Sequence, residues 1–158
     1  MFRDLKNCGD FTLIELIFTV AIIAILAAIA IPGLSSAREK AKIALVWADF
    51  RHIHRAMEIL ANDTEKWPGL NLVGKLADQE VWDLNSSQAG LVPNGGFPNW
   101  NGAYIQSVPK DPWGSDYFSD PDYMIGGVNY AVVGTFGPNK DGKNIYDSGD
   151  IYLILPVQ

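Results

Sequence analysis

Apolar residues run almost without a break from Phe11 to Ile31, then thin into a three- and four-residue rhythm, and near the C-terminus cluster in short bursts. The first stretch carries one charge, Glu15. At 1.5 Å per residue, a helix of that length reaches roughly 30 Å, the thickness of a bilayer's hydrocarbon core. A membrane-spanning helix is therefore predicted over 11–31. A carboxylate near one end of such a helix is costly and calls for a cationic partner. No other residue of the span can supply one, so the partner must come from a chain end or another molecule. That points to assembly rather than catalysis; the competing reading is a carboxylate that merely snorkels to the interface.

Ile31-Pro32-Gly33 follows, where a lost backbone donor and a flexible glycine predict a kink or a locally melted turn. Helical rhythm resumes after Ser35 through Ile43, Val46, Trp47, Phe50, Ile53, His54, Met57 and Leu60, one amphipathic face that should end near Asn62. Leu72–Asp83 has room for a short helix, and Asn85–Asn101, rich in Asn, Gly, Ser and Pro, reads as a loop. Strand-like runs appear at Ser115–Ser119, Val128–Phe136 and Ile151–Leu155. The expected architecture is α+β: a long N-terminal helix, half in lipid, whose other half packs on a small antiparallel sheet. The organisation that results is a polar leader over 1–10, a membrane and assembly helix over 11–31, its amphipathic continuation over 32–62, and a globular domain over 63–158.

Charge sharpens this picture. The chain has 12 Lys and Arg against 18 Asp and Glu, and the excess of acid lies after residue 60. An acidic domain repels phosphate, which argues against nucleic acid and suits either a cation or plain solubility. Arg3 and Lys6 before the apolar run place the N-terminus in the cytoplasm and the domain on the far side, a single pass. The one cysteine, Cys8, allows no intramolecular disulfide, so packing or a metal must hold an exported domain. Asp141, Asp147 and Asp150 crowd a Gly- and Asn-rich loop between two strand-like runs. Hard oxygen ligands on a turn are what calcium requires, though solvated turn aspartates are the plainer alternative, and the spacing is not that of an EF-hand. His52 and His54 lie on different faces of the helix, and no nucleophile or acid–base set converges, so an enzyme is not expected.

Gly9-Asp-Phe-Thr-Leu-Ile-Glu-Leu16 ahead of the apolar run, with Pro32 at its end, resembles the class III signal of type IV pilins and pseudopilins. Val108-Pro-Lys-Asp-Pro-Trp-Gly114 and the segment from Gly134 to Ile151 resemble the major pseudopilins of type II secretion systems. The resemblance implies the pilin fold and removal of the leader by a prepilin peptidase. In that family the cut falls between glycine and phenylalanine, and here Asp10 is interposed. Cutting after Gly9 meets the glycine requirement but shifts Glu15 one position along the helix, whereas cutting before Phe11 keeps both Glu15 and Pro32 in register. The resemblance thus implies a processing site at Gly9, Asp10 and Phe11, with the cut before Phe11 favoured and Phe11 methylated.

It further implies assembly through Phe11, Glu15 and Pro32, and a calcium site at Asp141, Asp147 and Asp150 completed by backbone carbonyls near Phe136 and Pro138. The implied partners are copies of the same chain in a homopolymer, minor pseudopilins and an inner-membrane assembly platform. The implied location is the bacterial inner membrane with the domain periplasmic, and periplasmic or extracellular in a filament. A type IV or competence-type pilin is the neighbouring alternative. A monomeric membrane-anchored binding domain, using Trp82, Trp100 and Trp113, is the alternative from another class.

Overall fold

The computed structural model describes residues 11–73, 79–140 and 142–156, with Pro32 described by its backbone only. It divides into two compact units, one ending at Ala41 and one beginning at Lys42. Helix α1, Leu13–Thr64, contributes to both. Helical backbone continues through Pro32 and Gly33, so the melted turn expected there is not seen. A proline's missing donor removes one ladder hydrogen bond without forcing the chain out of helical angles.

In the first unit, the side chains from Leu13 to Ile31 are nearly all exposed, including Leu13, Ile14, Ile23, Leu26 and Ile29. In the second unit, α1 presents Val46, Phe50, Ile53, Ala56, Met57 and Leu60 to the core, spaced so that one face of a 3.6-residue helix is covered. Full burial of each large member contributes roughly 1.5–3 kcal/mol. The expected face was too wide, because Ile43 and Trp47 remain about two-fifths exposed, at 40% and 41%. The helix stops at Thr64, where Glu65 turns to φ 58° and its N–H still reaches the Ala61 carbonyl at 2.9 Å.

Strands β1, Lys66–Trp67, and β2, Asn71–Leu72, pair across a tight 3-10 turn at Pro68–Leu70. The short helix expected at Leu72–Asp83 falls partly on residues 74–78, outside the described residues; 79–83 are not helical. The main sheet is antiparallel in the order β3 (Phe118–Ile125), β4 (Val128–Thr135), β5 (Ile151–Ile154). The first strand thus begins later than the expected Ser115–Ser119 and runs six residues beyond it. Gly126 and Gly127, at φ 58° and 85°, close the two-residue β3–β4 hairpin.

Side chains alternate across the sheet as its pleat requires. Tyr117, Ala131, Val133, Ile151, Leu153 and Leu155 join the core under α1. Phe118, Tyr123, Val132 and Tyr152 face the other way, where Trp82, Phe136 and Tyr146 cover them. The protein therefore has a second, aromatic core on the sheet's far face. The Tyr117 hydroxyl donates to Asp49 Oδ2 on α1 at 2.7 Å, pinning helix to sheet.

Candidate functional site

Three constellations carry chemistry. The first is the start of α1. Thr12 donates to Glu15 Oε2 through its N–H at 3.0 Å and its hydroxyl at 2.8 Å, and the Glu15 N–H donates back to Thr12 Oγ1 at 3.3 Å. This is a capping box, Thr12 as N-cap and Glu15 three residues on, satisfying two otherwise orphan helix donors. The sequence carries that signal as Thr-x-x-Glu, on the same carboxylate whose charge asks for a cation. Phe11 is 79% exposed, whereas Gly9 and Asp10 lie outside the described residues. Pro32 lies within α1.

The second is the loop between β4 and β5. Its two ends touch: Gly137, at φ 66°, sits against the Gly149 carbonyl so closely that a Cβ would collide with that oxygen, and Gly149 packs against the Asn139 side chain. Asp147 Oδ1 accepts the Gly149 N–H at 2.6 Å, and its Oδ2 accepts from the Asn139 amide at 2.8 Å. Asp150 Oδ2 accepts from the Tyr123 hydroxyl at 2.6 Å. Lys140 and Asn144 adopt left-handed backbone, at φ 59° and 62°, which curls the loop further. Asp141 lies outside the described residues. The loop thus offers carboxylates on a curled backbone whose ends only glycine can bring together, a donor set that suits a hard cation.

The third was missed entirely. Val81 pairs with Ser119 in an isolated antiparallel bridge, which sets Glu80 opposite Asp120. A bulge between Asp120 and Tyr123 then brings Asp122 alongside, its N–H donating to Asp120 Oδ1 at 2.9 Å. One carboxylate oxygen from each of Glu80, Asp120 and Asp122 lies within 4.8 Å of the others. Asp120 is fully buried, and burial pushes its carboxyl up to about 7, with Asp122 and Glu80 adding to the rise. Glu80 is raised too, by burial and then by the Asp122 charge. Its members come from segments about forty residues apart, so no local motif could announce it.

The tryptophans do not make one platform. Trp82 stacks on Phe136 with the Lys143 ammonium 5.5 Å above its ring, Trp100 packs on Tyr104, and Trp113 lies under Lys42. His54 Nδ1 lies 4.0 Å from Glu58, and His52 is exposed.

Comparison with known proteins then decides the family. Residues 34–144 match the profile of the type II secretion system (T2SS) protein G. The chain belongs to this family. It is 30% identical to the type II secretion system core protein G of Klebsiella pneumoniae over 132 residues, 84% of each chain. It is 32% identical to that of Vibrio cholerae over 142 residues, covering 89% of this chain and 86% of the relative. Among solved structures it resembles the major pseudopilin from the type 2 secretion system of enterohaemorrhagic Escherichia coli, with a TM-score of 0.53 at 17% identity over 74% of this chain and 86% of that one. That likeness establishes the pilin fold, and family membership makes the chain a pseudopilin subunit of a type II secretion system.

The matched span includes the Val108–Gly114 segment, and its structural purpose is visible. Buried Asp111 accepts from the N–H groups of Trp113 at 3.0 Å and Ser115 at 2.7 Å through Oδ1, and from the Thr135 hydroxyl through Oδ2. One carboxylate therefore folds the turn and ties it to β4. Asn85 pairs with Val108 through both amide atoms at 2.8 Å, anchoring the segment's other end.

Proposed function

We propose that this chain is the filament-forming subunit of its secretion system, polymerising through the N-terminal part of α1. The supporting observation is the exposure of apolar side chains from Leu13 to Ile31 with a carboxylate one turn from the start. Exposed apolar area on that scale needs lipid before assembly and neighbouring copies after it. Removal of the leader before Phe11 frees an amine, and Glu15 of an adjacent copy neutralises it where lipid penalises both charges. The capping box holds the Glu15 carboxylate at the helix end, poised for that amine. A prepilin peptidase, minor pseudopilins and an inner-membrane platform are the partners this reading requires, with the acidic domain periplasmic. A binding domain that works as an anchored monomer finds less support, since Trp82, Trp100 and Trp113 are dispersed.

The β4–β5 loop is proposed to hold calcium through Asp147 and Asp150, with Asp141 and the carbonyls near Phe136 and Pro138 as further ligands. When bound, the ion screens carboxylates that otherwise repel across a closed ring of backbone. The chain's own contribution is the glycine contact at 137 and 149 and the anchoring of Asp150 by Tyr123. The polymer reading is tested by collecting filaments sheared from expressing cells and measuring the mass of the mature subunit. A mass lacking residues 1–10 and carrying one methyl group is expected; an intact chain found only as a monomer would overturn it. Calcium titration of the same material should raise the melting temperature, and an unchanged value would remove the ion.

A further inference from the structure

Asp120 Oδ2 and Asp122 Oδ1 are both buried without a hydrogen-bond partner, and the Asp120 side chain is fully buried. A buried polar oxygen left unsatisfied is costly, and two like charges set opposite each other across a strand pair add repulsion. Here three carboxylates converge within 4.8 Å. Among the described residues, the charged and titratable groups around them are Lys143 and Tyr146. Lys143 lies over the Trp82 ring, its charge favouring ionised Glu80, but no ion pair among the described residues joins it to the triad. Tyr146 has its phenol raised by burial and then by all three acids, so it senses the same negative field.

Oxygen-only donors, three of them acidic, on a bulged strand and a bridge residue, suit a hard divalent cation and not a soft one. We propose that Glu80, Asp120 and Asp122 form a second cation site of the calcium type, made by residues outside the β4–β5 loop. Its occupancy would bind the 80–82 segment to β3 and stabilise the far-face core that the loop covers. The proposal is independent of filament formation and of the loop's own ion.

The test uses the full chain in detergent, stripped with chelator, with calcium and terbium as the probes. Calcium calorimetry gives stoichiometry and affinity, and terbium luminescence excited through tryptophan reports an ion near Trp82. The variants are Asp122→Asn and Glu80→Gln at the half-buried positions, Asp120→Asn at the buried one, and Asp147→Asn in the loop. Asp122→Asn and Glu80→Gln should each weaken one binding event at least tenfold and abolish its terbium signal, while Asp147→Asn leaves that event intact. Asp120→Asn should raise the melting temperature of the stripped protein yet cancel its calcium-dependent rise. Triad variants that bind as the wild type does would overturn the site. So would wild-type binding that Asp147→Asn removes entirely, which would leave the triad as a cluster that takes no ion.

Discussion

Replacing Gly137 by alanine strains the β4–β5 loop in two separable ways. Its φ of 66° lies in the left-handed region, where a Cβ costs roughly 1–2 kcal/mol. The new Cβ would also fall 3.3 Å from the Gly149 carbonyl carbon and nearer still to its oxygen, both backbone atoms that cannot swing aside. Overpacking of that kind typically costs about 1–3 kcal/mol, giving a total of roughly 2–5 kcal/mol. Gly126→Ala supplies the control: its φ is 58°, but nothing lies within 4 Å of a Cβ there, so only the conformational cost applies. The two variants should therefore differ by about 1–3 kcal/mol, several degrees in melting temperature for a domain of this size. Thermal unfolding of the detergent-solubilised chain, followed by circular dichroism with and without calcium, measures the difference. Fluorescence adds a local readout, because Phe136, next to Gly137, stacks on Trp82 at 6.0 Å. Equal melting temperatures for the two variants would refute the close approach of the loop's ends, and with it the geometry offered to an ion.

Other perturbations test the packing that positions these sites. Tyr117→Phe keeps the ring in the core but removes the donor to Asp49, and should cost about 1–2 kcal/mol in chemical denaturation; a change under half of that would mean the link is not formed. Gly134→Ala would put a Cβ 2.6 Å from Phe118 Cζ, in a ring already stacked on Phe136 at 5.0 Å, so about 1–3 kcal/mol should be lost. A wild-type denaturation midpoint for Gly134→Ala would show that Phe118 has room the aromatic core does not display.

Much of the architecture was legible because its signals are local. The apolar run and the helical spacing of Val46, Phe50, Ile53, Met57 and Leu60 report helix by periodicity, and the Val- and Tyr-rich run Val128–Thr135 reports a strand by composition. The second half of β3 was not legible. Asp120-Pro121-Asp122 reads as a turn, and only the bulge keeps that proline within a strand. The melted turn expected at Pro32 followed a sound local rule that helical context overrode. At the sites, glycines and aspartates marked the β4–β5 loop, but the touching of its ends is a tertiary fact. Glu15 carries two sequence signals, a Thr-x-x-Glu cap and a lone charge in an apolar run, and the second masks the first. The triad depends on a bridge between residues 81 and 119, which no periodicity encodes.

Glu15→Gln tests the assembly claim most directly, because glutamine keeps the capping-box hydrogen bonds while removing the charge. The quantity to measure is the yield of sheared filaments from cells whose membranes contain the variant in wild-type amount. A carboxylate that neutralises a neighbour's amine predicts normal insertion and filament yield below a tenth of wild type. Filaments at the wild-type level would mean that Glu15 serves only to cap its own helix.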